Sequence, residues 1–275
     1  MDIYREIERF YKGAATEKTV IGQSLLKRNL YAVKVGRGDP VGIATYAMHG
    51  REWVSARLAI THAKRGVFGT VWLVPLVNPD GALLSQKGLA SVKNSPYERF
   101  LSAYTNRELR LWKANARGVD LNVNFDARWG KGAKNLLRRG TENYVGDRPF
   151  SEPETRALKA FTEKIRPDYT LSFHTKGEEI YWYFGQSTRT CLRDFKLGQA
   201  LSQATGYPLR LTLDSAGGYK DWCISALSIP AYTVELGDDR FRHPLGWAAF
   251  PQIKESCGDA LYALSHAIHA IKDSL

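Results

Sequence analysis

Three apolar runs in this 275-residue chain each lead to ionisable side chains. VGIATYAMHGREW leads to His49, with Glu52 three positions on. DYTLSFHTKG leads to His174, and PAYTVELG sets Glu235 between Val234 and Leu236. A strand-end histidine alone is commonly a satisfied structural residue. A glutamate inside an apolar strand is a stronger signal, because an unpaired buried carboxylate is costly. Two histidines and one glutamate are a catalytic zinc set that leaves a fourth position for water. The His-x-x-Glu spacing lets one turn deliver two ligands to a single ion, and the third ligand must come from a distant strand. Glu235 then serves as general base on the zinc-bound water. The donor types favour Zn2+, one ion per chain.

A second polar group lies in GVDLNVNF, residues 118–125. Read as a strand, it puts Asp120, Asn122 and Asn124 on one face and Leu121, Val123 and Phe125 on the other. Three polar side chains in a row on one face predict a surface that looks into a site.

The elements that must position these groups follow from periodicity. MDIYREIERFYKGAA predicts an amphipathic helix with Ile3, Ile7, Phe10 and Tyr11 on one face. NLYAVKV and VGIATYAMHG predict strands separated by the turn GRGDP. A helix over 53–64 follows, then the strand TVWLVPLVNPDG, which runs into an Asn-Pro-Asp-Gly turn. A long helix is predicted over 96–113. FSEPETRALKAFTEKI predicts a helix opened by a capping box of Ser151 and Glu154. DYTLSFHT and EIYWYF predict strands, 192–203 a helix, PAYTVELG a strand, and 253–271 a final helix. Strands alternating with helices predict an α/β fold with a largely parallel or mixed sheet covered on both faces. Sites in such sheets form at the carboxyl ends of strands. With no repeat, low-complexity tract or long linker, residues 1–275 read as one domain.

Composition narrows the partners. At 44% hydrophobic and 24% charged the chain is ordinary for a soluble globular protein. No apolar run reaches the ~18 residues of a membrane span. The first residues lack an uninterrupted apolar stretch, so the expectation is a cytoplasmic protein without a membrane partner. Three widely spaced cysteines predict free thiols. The net charge of +11 is scattered, with short clusters at Lys27–Arg28 and Arg138–Arg139, and no nucleic-acid motif accompanies it. Scattered charge of this kind reads first as a basic, soluble surface, with an anionic substrate as the sharper alternative.

The motifs together resemble the zinc metallocarboxypeptidase family of the carboxypeptidase A type. HGRE matches its His-x-x-Glu metal motif, SFHT its second histidine strand and TVELG its catalytic-glutamate strand. NPDG, GVDLN, SEPET and GGYKDW fall in family order, over roughly 21–253. The resemblance implies a three-layer α/β/α single domain around a twisted mixed sheet of about eight strands. It implies His49, Glu52 and His174 as zinc ligands and Glu235 as general base. It puts Arg51 in the substrate groove and Asn122 on the substrate carboxylate. Asp120 becomes a partner of His49 that fixes its tautomer through the other ring nitrogen. The family's oxyanion-assisting arginine falls in LWKANARGVDLN, where Lys113 or Arg117 could take the role. Lys220, in GGYKDW, stands at the substrate pocket position and implies an acidic group on the substrate.

Two positions depart from the family. Its carboxypeptidases carry an arginine between the two asparagines as a bidentate clamp on the terminal carboxylate; here that residue is Val123. Its mobile substrate-binding tyrosine is absent from LTLDSAGG, and Tyr219 lies after the glycines. These departures resemble the bacterial γ-D-glutamyl-diaminopimelate endopeptidase branch, as do the phrases WKANARGVDLN and HTKGEEIYW. The implied substrate is a short anionic peptide, a muropeptide such as Ala–γ-D-Glu–diaminopimelate. Rival readings are a carboxypeptidase whose clamp is Arg138, Arg139 or Lys220, a zinc-dependent deacylase or amidase, and a catalytically silent zinc- or ligand-binding protein. The sequence leaves oligomeric state open.

Overall fold

The computed structural model describes residues 1–272. Its centre is built from the apolar runs, which are buried along nearly their whole length. The strands are β1 (Lys18–Gln23), β2 (Asn29–Gly36), β3 (Val41–Tyr46), β4 (Thr70–Val74), β5 (Tyr169–His174), β6 (Glu179–Tyr181), β7 (Leu209–Arg210) and β8 (Ala231–Glu235). They form one eight-stranded mixed sheet in the order β1-β2-β4-β3-β5-β8-β6-β7. The central four, β4, β3, β5 and β8, are parallel. β2 and β6 join them antiparallel on either side. Central parallel strands are covered on both faces, which is why they read as continuous apolar runs.

The helices are α1 (Ile3–Gly13), α2 (Ser55–Arg65), α3 (Pro79–Lys87), α4 (Glu98–Leu101), α5 (Asn106–Arg110), α6 (Pro153–Ile165), α7 (Thr188–Thr205), α8 (Tyr219–Leu227), α9 (Phe250–Cys257) and α10 (Ala260–Lys272). On one face of the sheet, Ala44, Tyr46, Leu171, Phe173, Tyr232 and Val234 pack with residues of α1, α2, α7, α9 and α10. On the other, Ile43, Trp72 and Val74 pack with Leu158 and Phe161 of α6 and Tyr219, Trp222 and Cys223 of α8. This is the expected three-layer α/β/α domain. Tyr46 stacks on Phe173 at 4.9 Å, locking β3 to β5 one residue short of His174. Cys191, Cys223 and Cys257 are free thiols. No helix among the described residues is long and apolar enough to cross a membrane.

Several local expectations are corrected. GVDLNVNF is not a strand. Asp120 Oδ1 accepts from Asn122 N at 3.1 Å and draws Leu121–Val123 into a 3-10 turn. The shared polar face therefore does not exist. Asn124 turns inward, where its Nδ2 donates to Val145 O and its Oδ1 accepts from Thr155 Oγ1. The helix expected over 96–113 breaks into α4 and α5, because Thr105 and Glu108 form a capping box that starts a new helix. The helix over 253–271 divides into α9 and α10 at Gly258. The Asn-Pro-Asp-Gly turn opens α3, with Asn78 Oδ1 accepting from Gly81 N at 2.9 Å. Ser151 and Glu154 form no capping box: Ser151 Oγ donates to Glu152 Oε1, and Glu154 is buried against Leu25 N. Strands β1 and β7 and helix α8 lacked a sequence signal.

Candidate active site

β3, β5 and β8 lie side by side and end together, so their carboxyl ends deliver three groups to one place. His174 closes β5 and Glu235 closes β8, paired in register. His49 follows β3 and leads into the 3-10 turn Gly50–Glu52. β4 lies on one side of β3 and β5 on the other, so the site sits where the strand order reverses, the usual crevice of an open α/β sheet. The turn packs on α3 through Gly50. A Cβ there would stand 2.5 Å from Gly81 O, so only glycine allows the approach.

His49 Nδ1 lies 3.0 Å from His174 Nδ1 and 2.9 Å from Glu52 Oε1. Glu52 Oε2 lies 3.1 Å from His174 Nδ1 and accepts from Thr175 N at 3.2 Å. All three side chains are buried, with one donor atom each within 4.8 Å of the others. Two imidazole nitrogens and a carboxylate facing one another away from water form a donor set for one cation. Zinc fits this donor set by type and number. His174 Nε2 is buried without a hydrogen-bond partner, so its ring is oriented by the cluster side alone.

The surroundings hold the cluster electrostatically. His49 Nε2 lies 3.2 Å from Asp120 Oδ1, a close contact too poorly aligned for a full hydrogen bond. Asp120 Oδ2 lies 3.2 Å from Lys113 Nζ and accepts from Asn143 N at 3.0 Å. Burial works against the charge of Asp120, but Lys113 and His49 outweigh it and hold the carboxyl far below its usual range. Burial likewise opposes protonation of His49, and Glu52 and Asp120 more than offset it. Burial opposes the charge of Glu52, and His49 and His174 keep it well below the usual carboxylate range. Glu235 differs. Burial and the nearby Glu52 carboxylate raise it to about 7, against the opposing pull of His174 and Lys113. It is partly exposed and makes no side-chain hydrogen bond among the described residues, so both oxygens are available.

The remaining sequence-selected residues divide. Lys113 comes to the cluster, while Arg117 is held elsewhere by Glu152 at 3.4 Å and the Tyr97 hydroxyl. Arg51 flanks the cluster, with Nη1 3.2 Å from Glu142 Oε2. Asn122 is partly exposed; its Oδ1 accepts from Tyr219 N at 3.1 Å, which ties the segment to α8. Gly217 makes that junction possible, since a Cβ there would meet Val123 O at 2.7 Å. Lys220 is not the free cation expected. It is buried, 2.5 Å from Asp221 Oδ1 and donating to Tyr183 O, because an uncompensated buried ammonium is costly. Tyr219 is fully buried on the Thr162 hydroxyl and cannot substitute for a mobile tyrosine. Arg138 and Arg139 are exposed and reach no acid within ion-pair distance among the described residues. Sequence reasoning passed over Thr175 and His243, which border the cluster. Neither sits in a pattern that sets it apart from ordinary loop residues.

Two imidazoles and a carboxylate placed to hold one ion, with a separate strand-end glutamate beside them, are the site of a zinc metallopeptidase. The chain belongs to the zinc carboxypeptidase family, whose model matches residues 5–261. It is 31% identical over 273 residues to gamma-D-glutamyl-L-diamino acid endopeptidase 1 of Lysinibacillus sphaericus, covering 90% of this chain and 66% of that one. The fold is similar to that of bovine thrombin-activatable fibrinolysis inhibitor, with TM-score 0.77 and 21% identity over 100% of this chain and 98% of the other. It is also similar to murein-tripeptide amidase of Escherichia coli O157, with TM-score 0.59 and 25% identity over 94% and 95% of the two chains.

Proposed function

We propose that this zinc peptidase hydrolyses the γ-D-glutamyl-diaminopimelate bond of short peptidoglycan stem peptides. The observation that carries the reading is Val123. It occupies the place of the family's carboxylate-clamping arginine, in a turn whose Asn122 side-chain nitrogen, Nδ2, makes no hydrogen bond to the protein among the described residues. A site that keeps the asparagine and lacks the clamp holds an anionic peptide without demanding a free terminus. The similarity to an endopeptidase whose name specifies a γ-D-glutamyl–diamino acid bond supports the same substrate class.

His49, Glu52 and His174 would hold the zinc, which supplies Lewis acidity to polarise the scissile carbonyl and acidify water beside it. Glu235 takes the proton from water as it attacks and returns it to the departing amine. A carboxyl near 7 suits both halves of that transfer. Lys113 offsets negative charge developing on the carbonyl oxygen. Asp120 holds Lys113 and His49 in place for this.

The test is kcat/KM on matched Ala–γ-D-Glu–diaminopimelate peptides ending in a free acid or an amide. Wild type is expected to cleave both at similar rates. Val123→Arg is expected to shift preference toward the acid by about tenfold, the scale of a charged hydrogen bond. A hundredfold preference for the acid in wild type would contradict the reading and mark a carboxypeptidase with another clamp.

A further inference from the structure

Buried polar atoms in folded proteins nearly always have partners, and an exception beside a catalytic centre points to a ligand. Arg51 Nε, Thr175 Oγ1 and His243 Nδ1 are buried without a hydrogen-bond partner. They come from three segments that also supply the catalytic set. Arg51 lies between His49 and Glu52, Thr175 directly follows His174, and His243 lies in the loop after Glu235. The mechanism above uses none of them.

Their chemistry is that of donors. The guanidinium of Arg51 uses Nη1 on Glu142 at 3.2 Å and Leu111 O at 3.5 Å, leaving Nε. Thr175 offers a hydroxyl. His243 lies close enough to Glu52, Arg51, Lys176 and His49 for their charges to act on it, and burial depresses its proton affinity to about 4. In its Nδ1–H tautomer the ring gives one N–H from the unpartnered nitrogen. Lys176, the other nearby cation, is engaged by Asp239 at 2.8 Å. Asn122 belongs to a different set of elements, bonded to the start of α8.

Unsatisfied polar groups on segments that flank one cluster, a guanidinium among them, are matched by a carboxylate acceptor. On the acyl side of a scissile amide, an α-linked residue carries a free carboxylate only when it is Asp or Glu. A γ-linked glutamyl residue always carries one. We infer that Arg51, Thr175 and His243 form a subsite for a carboxylate on the acyl side of the scissile amide, and so select γ-linked glutamyl over neutral α-linked acyl residues. The inference rests on the substrate reading above.

Calorimetric binding to the zinc-loaded enzyme tests it with N-acetyl-L-alanyl-D-glutamate and N-acetyl-L-alanyl-D-isoglutamine. The two keep the same γ-carboxylate and differ only in whether the α-carboxyl is free. Wild type is expected to favour the free acid by about tenfold or more. His243→Leu should bring the ratio close to one with zinc content retained. His243→Asn, whose amide nitrogen can replace Nδ1, should restore most of it. Absence of an acid preference in wild type, or its persistence in His243→Leu, would overturn the subsite. An acid preference without cleavage of the γ-glutamyl peptide would leave the subsite standing and defeat the substrate reading instead.

Discussion

Asp120 is fully buried and faces a histidine and a lysine, His49 Nε2 3.2 Å from one oxygen and Lys113 Nζ 3.2 Å from the other. Removing its charge without changing its shape should loosen both. Asp120→Asn is expected to weaken zinc binding by about 10–100-fold, as measured by competition with a chelator. Unchanged affinity would mean that His49 is oriented by the cluster alone. That His49, Glu52, His174 and Glu235 gather at the ends of neighbouring strands was legible because each breaks an apolar run with a group that has no reason to be there unless it is paired. The pairing of Lys220 was not legible for the complementary reason. Its partner Asp221 is the adjacent residue, and sequence order does not tell whether two neighbouring side chains on a helix bond each other or face apart. The choice between Lys113 and Arg117 depended on Glu152, 35 residues from Arg117, which no local pattern could supply.

At the scale of elements, the metal motif depends on how closely the Gly50–Glu52 turn sits on α3. Gly50→Ala would drive a Cβ against Gly81 O and Trp112 O, at 2.5 and 2.7 Å. Destabilisation on the order of 2–3 kcal/mol is expected, with reduced zinc content. A variant with wild-type melting temperature and full zinc would show that the turn has slack. Helix α6 makes a prediction in pH. Burial and the nearby Asp80 carboxylate raise Glu154 to about 8, so the folded chain keeps a proton that the unfolded chain loses near pH 4.5. That contribution is complete below pH 4.5 and is lost as pH rises toward 8. The stability of wild type relative to Glu154→Gln should therefore fall between pH 5 and 8, on the order of 3 kcal/mol, in urea titrations run side by side. A constant difference would place the proton elsewhere. The sheet strands and the larger helices were readable from apolar period. The failures came where a side chain recruits the backbone: Asp120 bends an extended pattern into a turn, and Thr105 with Glu108 restarts a helix inside a helical pattern.

For the whole molecule, the fold and the chemistry meet because parallel β3, β5 and β8 end at one level. Ordered motifs made that architecture legible in the sequence, while the two edge strands were not, since β7 has only two residues and β1 is half-exposed. Nothing local distinguishes such edges from loop. Zinc would join two segments distant in sequence, the His49–Glu52 turn and the end of β5 at His174, so its removal should lower the melting temperature as well as activity, because the ion binds the folded chain in preference to the unfolded one. Scanning calorimetry before and after chelation reads this directly, and an unchanged transition would mean that the cluster is stable without its ion. The central claim is that this cluster and Glu235 together cleave a γ-D-glutamyl-diaminopimelate bond. The decisive measurement is turnover of Ala–γ-D-Glu–diaminopimelate by wild type and Glu235→Gln, with products identified by mass and zinc measured in the same samples. The account predicts Ala–D-Glu and diaminopimelate from wild type, one zinc in each protein, and a loss of about 10²–10⁴-fold or more in the variant. Cleavage at another bond, or a zinc-loaded variant that keeps most of its turnover, would contradict it.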